Sequence, residues 1–107
     1  MHVNLKQAIE QLTGDENALF RKVMEHGTMS VEIYKPIAID RQTPHQQDEL
    51  YVVISGTGEF VNDGKRSSFV SGDVLFAAAG IEHRFENFSD DFRTWVIFYG
   101  PQGGENR

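Results

Sequence analysis

Cysteine is absent from the 107 residues of this chain. Disulfides, zinc–thiolate sites and thiol nucleophiles are therefore excluded. Basic residues are few and scattered: ten Lys and Arg stand against sixteen Asp and Glu, for a net charge of −6. A protein that grips nucleic acid by neutralising phosphates needs a basic cluster, so no nucleic-acid partner is expected. No apolar run approaches the ~18 residues of a membrane-spanning helix. The opening MHVNLKQAIEQL lacks the apolar core of a signal peptide. No membrane partner is expected, and the cytoplasm is the expected location. Two catalytic signatures are also missing, the phosphate loop G-x-x-x-x-G-K-[ST] and the nucleophile elbow G-x-S-x-G.

What is present points to one β-rich domain. The length suits a single modest core that needs no covalent staple. Hydrophobic residues make up 39% and charged residues 24%, as in soluble globular proteins. Ten glycines and eight phenylalanines favour short strands and tight turns.

Residues 4–12 predict a short amphipathic helix, with Leu5, Ala8, Ile9 and Leu12 on one stripe and Asn4 and Gln7 spaced as a capping box. Gly14 and Asp15 break that pattern. From residue 19 onward, strand-like runs alternate with turn residues. TMSVEIYK alternates with period two, ELYVVISG stops at Gly56, and Asp63-Gly64 in NDGK signals a hairpin. VLFAAAG, HRFENF and FRTWVIFY follow. VLFAAAG is bracketed too tightly by Ser-Gly-Asp and Gly80 to read as a helix. About eight strands in one domain predict a β-sandwich or barrel. The expected layout is an N-terminal helix and lead-in over 1–18, a barrel over 19–100 and a flexible tail over 101–107. Tyr51 and Val53 share one strand face while Leu50, Val52 and Ile54 share the other, so both faces are apolar. The outer face needs a cover, and a two-fold homodimer is the expected one.

The chemistry-bearing residues lie in two stretches. On an extended chain His45, Gln47, Glu49 and Tyr51 fall on one face, and His83, Phe85 and Asn87 on one face of a later strand. Two imidazoles and a carboxylate make a donor set for Fe, Mn, Ni, Co or Zn, with positions left open for water or substrate. Each residue has a plainer alternative: a satisfied polar pair for His45 and Glu49, and a capped loop carbonyl for His83. His2 and His26 read as terminus and turn residues, and Ser89-Asp90-Asp91 as a solvated turn.

The spacings themselves resemble a known family. Gly72, five residues, Ala78, one residue, Gly80, two residues, His83, three residues and Asn87 match the second cupin motif, G-x5-P-x-G-x2-H-x3-N, with Ala78 in place of proline. Glu49, six residues and Gly56 match the end of the first motif, G-x5-H-x-H-x3/4-E-x6-G. On that alignment His45 takes the place of the second histidine, Thr43 that of the first, and Ile37 that of the opening glycine. The resemblance covers about residues 30–98. It implies an all-β double-stranded β-helix, the cupin jelly-roll barrel, with a short N-terminal helix added. It also implies a divalent-metal site for an unidentified small molecule, held by His45, Glu49 and His83. Thr43 or Gln47 is a further contact, and Tyr51, Phe85 and Trp95 are candidates for pocket wall or core. If the protein is an enzyme, the family suggests dioxygenase, isomerase or decarboxylase chemistry. The alternative is a metal-free ligand-binding or sensor barrel.

Overall fold

A computed structural model of the chain describes residues 1–13, 19–37, 40 and 44–105. Gly14 and Asp15, expected to end the helix, and Thr43, expected near the site, lie outside the described residues. Helix α1 (Leu5–Thr13) is followed by β1 (Phe20–His26), β2 (Met29–Tyr34), β3 (Asp48–Ser55), β4 (Gly58–Asn62), β5 (Lys65–Phe69), β6 (Val74–Ala77), β7 (His83–Glu86) and β8 (Arg93–Tyr99). The strands form a five-stranded sheet, β1-β2-β8-β3-β6, and a three-stranded sheet, β5-β4-β7. Every pairing is antiparallel. This is the jelly roll that the resemblance implies.

Local chemistry explains the element ends. The capping box forms: the Gln7 N–H donates to Asn4 Oδ1 at 2.8 Å, and the Asn4 N–H donates to Gln7 Oε1 at 3.3 Å. Two orphan donors at the helix start are satisfied in this way. In the β4–β5 hairpin Asn62 faces Lys65 across the two-residue turn Asp63-Gly64, whose φ angles are 53° and 77°. Both left-handed positions define the tight turn that suits the twist of paired strands.

Gly56 ends β3 for a stricter reason. Its φ is +88°, and an added Cβ would stand 2.6 Å from Phe92 Cα and 2.6 Å from Ser89 Oγ. The backbones touch there, so nothing can yield cheaply. We expect Gly56→Ala to cost ~2 kcal/mol or more, read as a lower urea midpoint with the slope unchanged. A midpoint equal to wild type contradicts this packing.

Alternation sorts the side chains into two clusters. Between the sheets lie Tyr34, Tyr51, Val53, Phe60, Phe69, Ala77, Phe85, Phe92 and Val96. Outside the larger sheet, Ala8 and Leu12 of α1 cover Ile33, with Val23, Ile54 and Trp95 packed around them. The helix thus seals one end of the outer face. Leu50, Val52 and Ile97 continue that face beyond it, next to Val74 and Phe76, which are 62% and 44% exposed.

This sidedness has a consequence for β2. Its apolar residue Ile33 faces the helix, so Ser30, Glu32 and Tyr34 point between the sheets. The polar half of the alternating run TMSVEIYK is therefore the interior half.

Candidate metal centre

The two sheets meet at one open end, and three strand or loop positions converge there. Glu49 is the second residue of β3, between Phe98 of β8 and Ala77 of β6. It points inward, as Tyr51 and Val53 do further along the strand, and its side chain is 1% exposed. His83 opens β7 in the facing sheet, opposite Asn62, and is equally buried. His45 lies in the loop before β3. Its carbonyl accepts a hydrogen bond from Gly80 N–H at 2.7 Å, which ties that loop to the turn before His83. His45 is the outermost of the three, with a side chain 35% exposed, and its ring meets Phe98 edge-on at 4.8 Å.

One ligand atom from each of His45, Glu49 and His83 lies within 4.8 Å of the other two. His83 Nε2 is 2.8 Å from Glu49 Oε1, and His45 Nε2 is 3.9 Å from Glu49 Oε2. Three donors sharing an ion at ~2.1 Å stand roughly 3–3.5 Å apart in octahedral or tetrahedral order. The observed separations bracket that spacing.

The hydrogen-bond pattern sharpens the point. His83 Nδ1 is 2.8 Å from the Ile81 carbonyl oxygen. A carbonyl can only accept, so Nδ1 carries the proton and Nε2 of the neutral ring carries a lone pair. That lone pair faces the Glu49 carboxylate. With the proton on Nδ1, Nε2 has nothing to donate across that contact, and among the described residues His83 Nε2 and both Glu49 oxygens are left without a hydrogen-bond partner. Buried polar atoms left in that state are costly. Two lone pairs that face each other at this range need a cation between them, either a metal or a proton. The residues therefore fit a metal, and the Nδ1–carbonyl bond is the outer contact that metal-binding histidines use to fix their tautomer.

Burial pushes the His83 pKa down. The Glu49 carboxylate and the Ile81 carbonyl push it up, aided by the more distant Asp40, and the upward pull prevails. In the absence of metal a proton is the natural occupant.

The other expected site residues fall in several places. Tyr51 is fully buried beneath the centre, with ring centroids 4.9 Å from Phe85, 5.7 Å from Phe60 and 6.2 Å from His83. It forms the floor. Phe85 sits deeper, against Tyr51, Phe60, Phe69 and Phe92, and is core. Trp95 does not join the site: it packs under α1 on the opposite face of the sheet. Gln47 is a strut whose Nε2 donates to the Thr28 and Gly100 carbonyls, both at 2.9 Å. Asn87 lies past the end of β7 with φ 51°, and its amide donates to Glu59 on the surface. A left-handed residue is needed there, and asparagine tolerates that conformation better than most side chains. A cleft of about 320 Å³ opens beside His45, lined by Gln46, Gln47, Phe98 and Gln102.

Three acids were missed in the sequence: Asp40 and Asp48, both buried, and the half-buried Glu32. Asp40 accepts from Tyr34 Oη and from the Phe85 N–H, both at 2.7 Å, and so pins β2 to β7. No spacing marks it. Glu32 faces the interior, with Lys22 and Val96 as its cross-strand neighbours. Its period-two position could have found it, had the buried side of β2 been known.

Burial raises the Glu32 pKa; Lys22 opposes that rise and the Glu49 charge adds to it. An acid whose pKa is raised in the folded state favours folding below its ordinary value and loses that contribution as pH rises through the folded value. At neutral pH the ionised form therefore opposes folding. We expect Glu32→Gln to raise Tm by ~3 °C at neutral pH. The gain should vanish near ~pH 4, where wild-type Glu32 is itself protonated. Equal gains at both pH values contradict the interior placement of the charge.

The sequence comparisons agree with this architecture. The family model described as "Cupin domain" matches residues 30–98. This chain belongs to the cupin family. An uncharacterized protein of Streptomyces coelicolor is 33% identical to this cupin over 85 residues, 78% of this chain and 81% of the relative. Among solved structures, a cupin-2 domain containing protein from Shewanella frigidimarina superposes with a TM-score of 0.70 at 15% identity, over 92% of this chain and 94% of its own. A Cupin 2 conserved barrel domain protein from Salinispora arenicola gives a TM-score of 0.64 at 22% identity, over 76% and 74%. At these identities the structural matches establish the fold. Among the described residues, no helix is long and apolar enough to cross a membrane.

Proposed function

We propose that this cupin holds a divalent transition metal through His45 Nε2, Glu49 and His83 Nε2, and presents it to a small molecule entering beside His45. The carrying observation is the convergence of one donor atom from each of His45, Glu49 and His83 within 4.8 Å, with His83 Nε2 and both Glu49 oxygens buried. Fe, Mn, Ni, Co and Zn all accept two imidazoles and a carboxylate. When bound, such an ion supplies Lewis acidity to an oxygen-bearing ligand. The chain's own residues do the rest. Ile81 fixes the His83 tautomer, Tyr51 and Phe60 keep water from beneath the centre, and the cleft at His45 admits the ligand. The reaction class is open among those the family suggests.

A metal-free ligand-binding barrel is the second reading. It is favoured by the raised proton affinity of His83, which lets a proton hold Glu49 without metal. The two readings separate by titration. With metal bound at His83 Nε2, protons compete for that atom, so Co(II) affinity falls as pH falls. Because the His83 pKa is raised, the fall begins above the pH at which an ordinary imidazole would impose it. We expect roughly a tenfold loss per pH unit per competing imidazole below that point, measured by isothermal titration from pH 8 downward. An affinity that is flat through the histidine range contradicts the ligand assignment.

We further propose a two-fold dimer as the cover for Leu50, Val52, Val74, Phe76 and Ile97, the apolar stretch that α1 leaves bare. Sedimentation equilibrium of wild type beside Phe76→Lys reads this directly. A wild-type monomer contradicts it.

A further inference from the structure

The segment after β8 is tied down, although its composition predicts a loose tail. Gly100 N–H donates to Thr28 Oγ1 at 3.1 Å, Gly103 N–H to the Gln46 carbonyl at 2.6 Å, and Glu105 N–H to Asp48 Oδ2 at 3.0 Å. Asp48 is buried, and its other oxygen accepts from Ala79 N–H at 3.0 Å. One carboxylate therefore joins the segment to the turn that precedes His83. Gly104 lies close against this joint: an added Cβ would stand 3.0 Å from Asp48 Oδ1 and 3.1 Å from Ala79 Cβ.

The partners of these bonds follow one another along the chain. The His45 carbonyl is held by Gly80, the Gln46 carbonyl by Gly103, the Gln47 amide by Thr28 and Gly100, and the Asp48 carboxylate by Ala79 and Glu105. Four consecutive residues are each fastened, three of them to Gly100–Glu105. They are the residues that carry His45 into β3. His45 is the one ligand that lies outside a strand and the one least buried, so its position depends on these fastenings.

We propose that Gly100–Glu105 is a strap which, with Asp48 as its buckle, positions the 45–48 loop and so presents His45 to the centre. This rests on the metal reading above for its functional meaning, and on the hydrogen bonds alone for its mechanical one. The strap also supplies Gln102, which lines the cleft at His45 and a neighbouring cleft of about 360 Å³ that reaches Lys22, Glu25 and Ser30. A ligand that reaches the metal would pass this amide, which offers both a donor and an acceptor to hydroxyl or carboxylate groups. Asp48 is a positioning residue: it is neither one of the three proposed ligands nor a lining residue of the two clefts.

The test compares wild type with a chain ending at Tyr99 and with Asp48→Asn, which keeps the side-chain shape but can accept only one of the two N–H groups well. In metal-free protein, amide exchange at residues 45–48 and 80 should speed up on the order of tenfold in the shortened chain, and less in Asp48→Asn. Exchange in β3 beyond Asp48 and in β8 should stay as in wild type. Co(II) affinity should fall ~10-fold or more in the shortened chain, with a shifted ligand-field spectrum that reports a displaced imidazole. If the shortened chain does not fold, Asp48→Asn and Gly104→Val carry the same comparison. Unchanged exchange at 45–48 overturns the strap. Faster exchange in a protein whose wild type takes no cobalt overturns the metal reading and leaves the strap as the anchor of the loop.

Discussion

Glu49→Gln should abolish the thermal stabilisation that divalent metal gives to the wild type. An ion at a hundred times its dissociation constant adds ~2.7 kcal/mol to folding, about 10 °C in Tm for a chain of this size. Glu49 is the only anionic donor in the cluster, and both imidazoles face it. An amide in its place keeps the volume but contributes a weak, neutral oxygen. It also offers an N–H to the lone pair of His83 Nε2, which has no hydrogen-bond partner among the described residues. The metal-free variant should therefore melt at or above the temperature of metal-free wild type. The prediction has two arms: metal response lost, metal-free stability kept. Differential scanning calorimetry with and without Co(II) reads both. A variant still stabilised by ~10 °C would move the metal elsewhere.

Phe85→Ala should cost ~3–5 kcal/mol, enough to remove much of the stability of a domain this small. The ring is 1% exposed and meets Tyr51, Phe60, Phe69 and Phe92 at centroid distances from 4.8 to 5.6 Å. Its removal leaves a void bounded by four rings that are themselves locked by the sheets, so the core cannot collapse to fill it. Urea denaturation at neutral pH measures the loss. A cost under ~1 kcal/mol would mean that the ring lines an open pocket rather than the core.

Much of this architecture could be read from sequence because it is built from local rules. A capping box, an Asp-Gly hairpin and the run from Gly72 to Asn87 each set backbone geometry within a few residues, so spacing alone locates them. His83 stands at the head of β7 because the turn at Gly80 and the left-handed Asn87 bracket the strand. Sidedness was not legible in the same way. Alternation separates Trp95 from Thr94 and Val96, but it does not say which set faces inward when both are apolar. Helix α1 decides that, by sealing Ile33 and Trp95 on the outside, and the same event turns Glu32 inward. Gln47 escaped for another reason. It lies before β3 begins at Asp48, so strand alternation does not govern it, and its reach to Thr28 and Gly100 is a tertiary contact. The fastening of residues 100–105 depends on Asp48 and Gln46 more than fifty positions earlier, and a Gly-rich composition gives no sign of it.

The central claim is that His45, Glu49 and His83 form one metal centre. Elemental analysis of untagged protein purified without added metal, beside His45→Ala and His83→Ala, tests it most directly. The account predicts about one equivalent of a single transition metal per wild-type chain. It also predicts loss of that metal from both variants while their far-ultraviolet circular dichroism stays that of the folded barrel. Wild-type protein that holds no metal, and takes up none of Fe, Mn, Ni, Co or Zn on reloading, contradicts it.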